Sequence, residues 1–99
     1  MARFDVFPAP SDGGYLMDVQ ADLLDQLVTR VVVPMIPVGK APIPAAILNP
    51  VFDIAEEPHV MVTQFLSAVP ISLLRRPVGS LAPQSDRITR ALDFLLQGF

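Results

Sequence analysis

The sequence has no cysteine and a single histidine, and both shortages restrict its chemistry. Without cysteine there are no disulfides, no thiolate zinc sites and no cysteine nucleophile, a usage that suits the reducing cytoplasm, where we place the protein. Residues 31–38 are the longest apolar run, far short of the roughly eighteen that a membrane-spanning helix needs, and they contain two prolines. The N-terminal residues lack the pattern of a secretory signal. We therefore expect no membrane partner.

Charged residues are also scarce, at 17% of the chain against 52% apolar residues. A typical soluble domain has about 25% charged residues. The low charge suggests that part of the surface is shared between two copies, so we predict a homodimer. Seven basic residues face ten acidic ones, and only Arg75 and Arg76 are adjacent. Because binding to phosphates needs clustered basic side chains, we expect no direct nucleic-acid partner.

The hydrophobic pattern predicts one domain over residues 1–99, with a mainly antiparallel sheet that curls and one C-terminal helix packed across it. Short apolar or alternating segments separated by turn residues are typical of strands. Turns are predicted at residues 11–14 and 56–58, and the proline-rich residues 37–50 form either a protruding loop or two short strand fragments. The predicted strands are residues 3–7, 15–19, 29–36, 51–54, 59–66 and 67–74.

Three residues test this assignment. Alternation in the first strand places Phe7 on the opposite face from the buried Phe4 and Val6. Pro34 lacks the N–H of a central ladder, so the third strand should bulge or reach an edge there. His59, after a turn, should be partly exposed at a strand end.

Residues 20–27 (QADLLDQL) are open to two interpretations, a short helical turn or a surface loop with two exposed leucines. Asp18, Asp22 and Asp25 have helical spacing, which fits either a cation site or, more simply, solvated aspartates that bond to the loop backbone.

Residues 84–99 have the clearest helical pattern. Ile88, followed by Ala91, Leu92, Leu95 and Phe99, forms one apolar stripe at helical period, and we assign its first four residues to the core and the dimer. Phe94 and Leu96 flank the stripe and leave apolar surface for a partner. Ser85 or Asp86 is the expected cap of the first turn, and we expect the helix to run on to Phe99.

No catalytic constellation is visible, so we expect a binding protein rather than an enzyme, with no metal and no cofactor. His59 has no ligand pair at metal-binding spacing, and Thr63, Ser67 and Ser72 have no base beside them. An alternative is acid–base ribonuclease chemistry in a small barrel, supported by the arginines Arg3, Arg30, Arg87 and Arg90.

Four segments resemble the CcdB family, the toxins of bacterial toxin–antitoxin pairs. They are residues 15–25 (YLMDVQADLLD), 30–35 (RVVVPM), 69–74 (VPISLL) and the helix through Gly98 and Phe99. The resemblance implies a homodimer of an SH3-like, partly open antiparallel barrel with one C-terminal helix, a fold shared with Kid. It also implies a type II toxin that binds the DNA gyrase A subunit, traps gyrase on cleaved DNA and is neutralised by a CcdA-like antitoxin.

The resemblance places the gyrase-binding residues on the loop and at the helix end: Leu23, Leu24, Arg90, Asp93, Leu96, Gln97, Gly98 and Phe99. Family members that are active end in Trp-Gly and a branched aliphatic residue, whereas this chain has Gln97 and Phe99 at these places. Two alternatives therefore remain beside the gyrase toxin. One is a diverged CcdB-fold protein with another target or no gyrase activity, and the other is a MazF/Kid-like ribonuclease.

Overall fold

The computed structural model, which describes residues 1–10 and 13–99, contains one antiparallel sheet and one long helix. The sheet curls into a nearly closed barrel, which confirms the predicted mainly-β class with a C-terminal helix. The strands are β1 (Asp5–Pro8), β2 (Tyr15–Asp18), β3 (Thr29–Pro37), β4 (Val51–Ile54), β5 (Glu57–Met61), β6 (Ser67–Pro70) and β7 (Gly79–Ser80). Their hydrogen-bonded order is β4-β5-β3-β2-β1-β7, and β6 pairs with the N-terminal half of β3.

Strand β3 organises the barrel because it pairs with β2, β5 and β6. The prediction that it bulges or reaches an edge at Pro34 is wrong, since the strand continues to Pro37. Pro34 lies where β3 changes partners, after the last pair with β6 at Val32 and before the first pair with β5 at Met35. Its carbonyl accepts the N–H of Val62 at 3.0 Å, and its missing N–H falls in the gap between the two partners.

The β1–β2 connection includes the turn predicted at residues 11–14, of which Ser11 and Asp12 lie outside the described residues. Gly14 is required by packing, because a Cβ there would lie 2.9 Å from the carbonyl oxygen of Met35. The second turn is displaced from its predicted place. Ala55 and Glu56 have positive φ angles of 52° and 65° and close the β4–β5 hairpin, so the residue after them already begins β5.

Two predicted strands are too long. The strand predicted over 59–66 ends at Met61, because Thr63–Phe65 forms a 3₁₀ turn in which the Thr63 hydroxyl donates to the Leu48 carbonyl. The strand predicted over 67–74 ends at Pro70 and continues as a 3₁₀ turn over Ile71–Leu73. Of the two interpretations of residues 37–50, the protruding loop is correct: Pro37 ends β3, and residues 38–50 contain a 3₁₀ turn at Val38–Lys40 and no strand.

The buried side chains form a main cluster inside the barrel and a smaller one outside it. The main cluster joins strands β1 to β5 to the helix, with Phe4, Met17 and Ile88 among its members. The prediction that Phe7 lies on the opposite face from Phe4 and Val6 is confirmed, because Phe4 and Val6 belong to the main cluster and Phe7 to the smaller one. Phe7 is 1% exposed and packs with Val32 and Leu74 in the smaller cluster, because the segment after β6 covers the outer face of the sheet there.

The helix α1 (Ser85–Gln97) differs from its prediction at both ends. Ser85 already has helical backbone angles, and the 3₁₀ turn Ala82–Gln84 leads directly into the helix, so no side chain caps the first turn. At the other end Gly98, at φ +84°, adopts the left-handed conformation and its N–H donates to the Phe94 carbonyl. The helix therefore ends at Gln97 and does not continue to Phe99. No helix in residues 1–10 and 13–99 is long and apolar enough to cross a membrane.

Candidate functional site

The inner face of α1 enters the barrel core over its first half only. Ile88 and Ala91 are fully buried and Leu92 is 8% exposed, as the stripe predicts. Leu95 is only half-buried, and Phe99 is 82% exposed, so the stripe is incomplete beyond the third turn of one protomer. Ile88, Ala91 and Leu92 belong to the main buried cluster of the protomer. For Leu95 a dimer role stays a prediction.

The end of α1 presents apolar and polar side chains to solvent. Leu96 is 70% exposed, and Arg90, Gln97 and Gly98 are exposed as well, whereas Asp93 is half-buried. We call residues 96–99 the helix tip. The left-handed Gly98 turns the chain away from the helix axis, so Phe99 leaves α1 in a new direction.

A second exposed apolar surface lies on residues 21–28, which we call the leucine loop. It contains the 3₁₀ turn Asp22–Leu24, in which the N–H of Leu24 donates to the Ala21 carbonyl at 3.0 Å. Both sequence interpretations are therefore partly correct, since the loop includes one short helical turn. Leu23 is 93% exposed and Leu24 is 49% exposed, so this turn places two leucines in solvent.

The loop is anchored by a buried ion pair that sequence reasoning missed. Asp18 and Arg30 are 0% and 1% exposed, and the Arg30 Nε and Nη2 groups contact Asp18 Oδ2 at 2.8 Å and 2.6 Å. Burial raises the pKa of the Asp18 carboxyl, and the hydrogen bond from Arg30 opposes this shift without cancelling it. The sequence signal was Arg30, which lies in a strand of β-branched residues. An arginine that is buried in such a strand needs an acidic partner.

Two of the three loop aspartates share Arg30, whose Nη2 lies 2.6 Å from Asp18 Oδ2 and 3.9 Å from Asp22 Oδ1. The Asp18 carboxylate is occupied by Arg30, and Asp22 Oδ1 accepts the backbone N–H of Arg3 at 2.8 Å. Asp25 is exposed. Asp18 is not solvated as predicted, but its Oδ1 does accept a loop backbone N–H, that of Gln20, at 3.0 Å. Asp22 instead joins the N-terminal residues to the leucine loop.

His59 is another buried polar residue that the sequence analysis placed wrongly. It is 2% exposed on β5, where its Nδ1–H donates to the Glu57 carbonyl at 2.8 Å. Its ring packs edge-to-face on Tyr15, with centroids 5.2 Å apart. His59 is buried because β5 lies between β4 and β3 in the sheet and the ring of Tyr15 covers the imidazole.

Of the four arginines considered for ribonuclease chemistry, Arg87 and Arg90 line one small pocket, and Arg3 and Arg30 both contact Asp22. Arg30 is paired with the buried Asp18, and the Arg3 guanidinium stacks on Phe4. Arg87 lies 4.7 Å from the ring centroid of Phe52, and its Nη2 donates to the Val51 carbonyl. These contacts hold the termini and the helix on the barrel, and they do not form a basic cleft.

The leucine loop and the helix tip are positioned by different parts of the protomer. Helix α1 packs against the Thr63–Phe65 turn and continues from Ala82–Gln84. The leucine loop is held by Arg3 and by the buried groups between β2 and β3. Each exposed surface therefore has its own rigid support.

The described residues thus form a small, nearly closed antiparallel barrel with one C-terminal helix and two exposed apolar surfaces, the architecture that the resemblance to the CcdB fold implies. The family model described as CcdB protein matches residues 3–98, and the chain belongs to the CcdB family. This membership supports a toxin of a toxin–antitoxin system. Comparison with curated proteins found no significant match.

Proposed function

We propose that this CcdB-family toxin binds the DNA gyrase A subunit through the leucine loop and the helix tip, and traps gyrase on cleaved DNA. The observation that carries the proposal is the exposure of Leu23, Leu96 and Phe99 on anchored supports. Exposed apolar anchors that become buried supply most of the energy of a typical protein interface. An interface role explains why these side chains remain in solvent in the isolated protomer.

The helix tip supplies an aromatic ring at an altered position. Gln97 is an exposed amide, whereas Phe99 presents its ring two residues later, beyond the left-handed Gly98. Phe99 takes the place of an aromatic anchor in the proposed interface, and Arg90 and Asp93 contribute polar contacts at its edge. Such anchors are commonly worth about 2 kcal/mol or more each.

The proposed toxin works by binding, without catalysing a reaction and without a metal or cofactor. It acts in the cytoplasm as a homodimer, with Leu95 at the seam between the two protomers. A CcdA-like antitoxin neutralises it. The sparse basic charge, and the intramolecular contacts of Arg3, Arg30 and Arg87, support a protein target rather than direct contact with nucleic acid.

A matched pair of variants tests the gyrase contact. Leu23→Ser and Ile43→Ser each replace a side chain that is more than 90% exposed, on different loops. We expect Leu23→Ser to weaken binding to a purified gyrase A fragment about tenfold or more, and Ile43→Ser to leave it unchanged, since only Leu23 becomes buried. The measurements are calorimetric affinity and the yield of cleaved DNA with gyrase. Equal binding by both variants would contradict the proposed surface.

The exposed Gln97 favours a second candidate, a diverged toxin whose target is not gyrase. A buried amide without partners opposes binding, because its desolvation costs free energy. In that case the wild-type protein does not bind the gyrase A fragment, and Gln97→Trp creates binding. If wild-type protein and Gln97→Trp bind equally tightly, Phe99 already provides the needed ring and the second candidate fails.

A further inference from the structure

Gln20 is a buried amide at the base of the leucine loop, only 8% exposed. Its Nε2 donates to the carbonyl of Leu24 at 3.0 Å and to that of Thr29 at 3.3 Å. Its Oε1 accepts the backbone N–H of Val31 at 3.0 Å. One side chain therefore connects the end of β2, the middle of the loop and the start of β3.

Besides Gln20, the leucine loop is held by the hydrogen bond from Arg3 N–H to Asp22 Oδ1 and by that from Ile71 N–H to Val28 O. Residues 21–28 are all exposed, so no apolar side chain of the loop is buried in the core. Its internal hydrogen bonds are those of isolated turns, such as Asp25 N–H to Asp22 O at 3.2 Å and Leu27 N–H to Leu24 O at 3.2 Å. A 3₁₀ turn of three residues has poor hydrogen-bond geometry and is not stable alone. The side-chain contacts from outside the turn must determine its orientation.

The hydrogen bond from Gln20 acts on the peptide group that follows Leu24. Holding this carbonyl toward the barrel determines the direction in which the preceding turn projects its side chains. We propose that Gln20 is a positioning residue, which holds Leu23 and Leu24 in the orientation that the partner recognises. The inference rests on the proposed function, because it assigns the preorganisation of that binding surface to a residue that does not touch the partner. A loop held in its bound conformation loses less entropy on binding.

Asn49 provides a matched control, because it holds the other long loop in the same manner. It is 5% exposed, its Oδ1 accepts the N–H of Ala45, and its Nδ2 donates to Met61 O and to Gln64 Oε1. Gln20→Leu and Asn49→Leu each remove one buried amide clamp, so both should destabilise the fold. Only the first clamp is attached to the leucine loop.

The first measurement is hydrogen exchange of the wild-type protein and both variants, under conditions in which circular dichroism shows each to be folded. In Gln20→Leu we expect the amides of Leu24, Asp25 and Leu27 to exchange about tenfold faster or more, the size expected for the loss of a buried hydrogen bond. In Asn49→Leu the faster exchange should appear in residues 41–49 instead, with the leucine loop unchanged.

The second measurement is affinity for the gyrase A fragment. We expect Gln20→Leu to bind about tenfold more weakly, and Asn49→Leu to bind as the wild type does, because loosening the leucine loop adds an ordering cost to binding. Gln20→Glu distinguishes the hydrogen bonds that the side chain donates from the one that it accepts. Its ionised carboxylate still accepts the Val31 N–H but cannot donate to Leu24 O or Thr29 O, so it should loosen the loop as Gln20→Leu does.

Two results would overturn the inference: unchanged exchange of the leucine loop in Gln20→Leu, or equal binding by Gln20→Leu and Asn49→Leu. If the wild-type protein does not bind the gyrase A fragment, the proposed function fails. In that event the exchange experiment alone decides whether Gln20 positions the loop. The two failures are therefore distinguishable.

Discussion

Single buried polar residues set the conformation of this protein's exposed surfaces. Asp18, Gln20 and Arg30 lie under the leucine loop, and Asn49 lies under the loop at residues 37–50. Each makes several hydrogen bonds, and no buried polar side-chain atom in the described ranges is without a partner. All four residues are themselves buried, so they support the backbone of the exposed loops from within the protomer.

Arg30→Met should destabilise the fold at neutral pH by about 3–5 kcal/mol, because it leaves the buried Asp18 carboxylate without its guanidinium partner. Chemical denaturation measures the free energy of unfolding. Asp25→Asn is the control, since Asp25 is exposed and its replacement should change stability by less than about 0.5 kcal/mol. Similar unfolding midpoints for the two variants would contradict the role of the ion pair.

The pH dependence of stability should change in Asp18→Asn. Because burial raises the pKa of Asp18, the folded chain holds this proton more tightly than the unfolded chain. That contribution to stability is fully present below the unfolded pKa and is lost as the pH rises through the folded pKa. Denaturation curves across this acidic window should show the loss in the wild-type protein and its absence in Asp18→Asn.

At the scale of secondary structure, α1 has two functions along its length. Ile88, Ala91 and Leu92 anchor it in the barrel, and the residues beyond them project from the protomer. The left-handed Gly98 ends the helix and redirects Phe99. The element is therefore both part of the core and, in the proposed function, part of the interface.

Leu92→Ala and Leu95→Ala should separate these functions. Leu92→Ala is expected to cost about 2–5 kcal/mol at any protein concentration, because it opens a cavity in the barrel core. Leu95 is half-buried in one protomer, so the cost of Leu95→Ala should depend on protein concentration if the side chain lies at the dimer seam. Denaturation at several concentrations provides the measurement. A cost below about 1 kcal/mol for both variants would refute the assignment of the stripe.

At the scale of the whole molecule, the protomer has more apolar surface than its small barrel can bury. Val28 and Ile71 are 75% and 40% exposed, and the Ile71 N–H donates to the Val28 carbonyl, so the two lie on one surface. The helix tip adds further apolar area. This excess supports the proposed homodimer and the proposed protein target.

Sedimentation equilibrium tests the homodimer directly. We expect a mass of twice the 10.8 kDa chain at micromolar concentrations, with dissociation on dilution. Leu95→Ala should shift this equilibrium toward the monomer, whereas Ile43→Ser, on the protruding loop, should not. A monomer for the wild-type protein at all accessible concentrations would refute the homodimer.

By itself, the sequence determined the mainly-β class, the helix and its first apolar residues, because these follow from local periodicity. Tertiary structure decided the rest. Whether Phe7 and His59 are buried depends on which segments cover the barrel wall. The missing N–H of Pro34 is tolerated because β3 changes its pairing partner beside this residue. Leu23 and Leu24 can be recognised in the sequence. The Gln20 amide and the Asp18–Arg30 ion pair beneath them cannot, because these residues come together only when β2 and β3 pair.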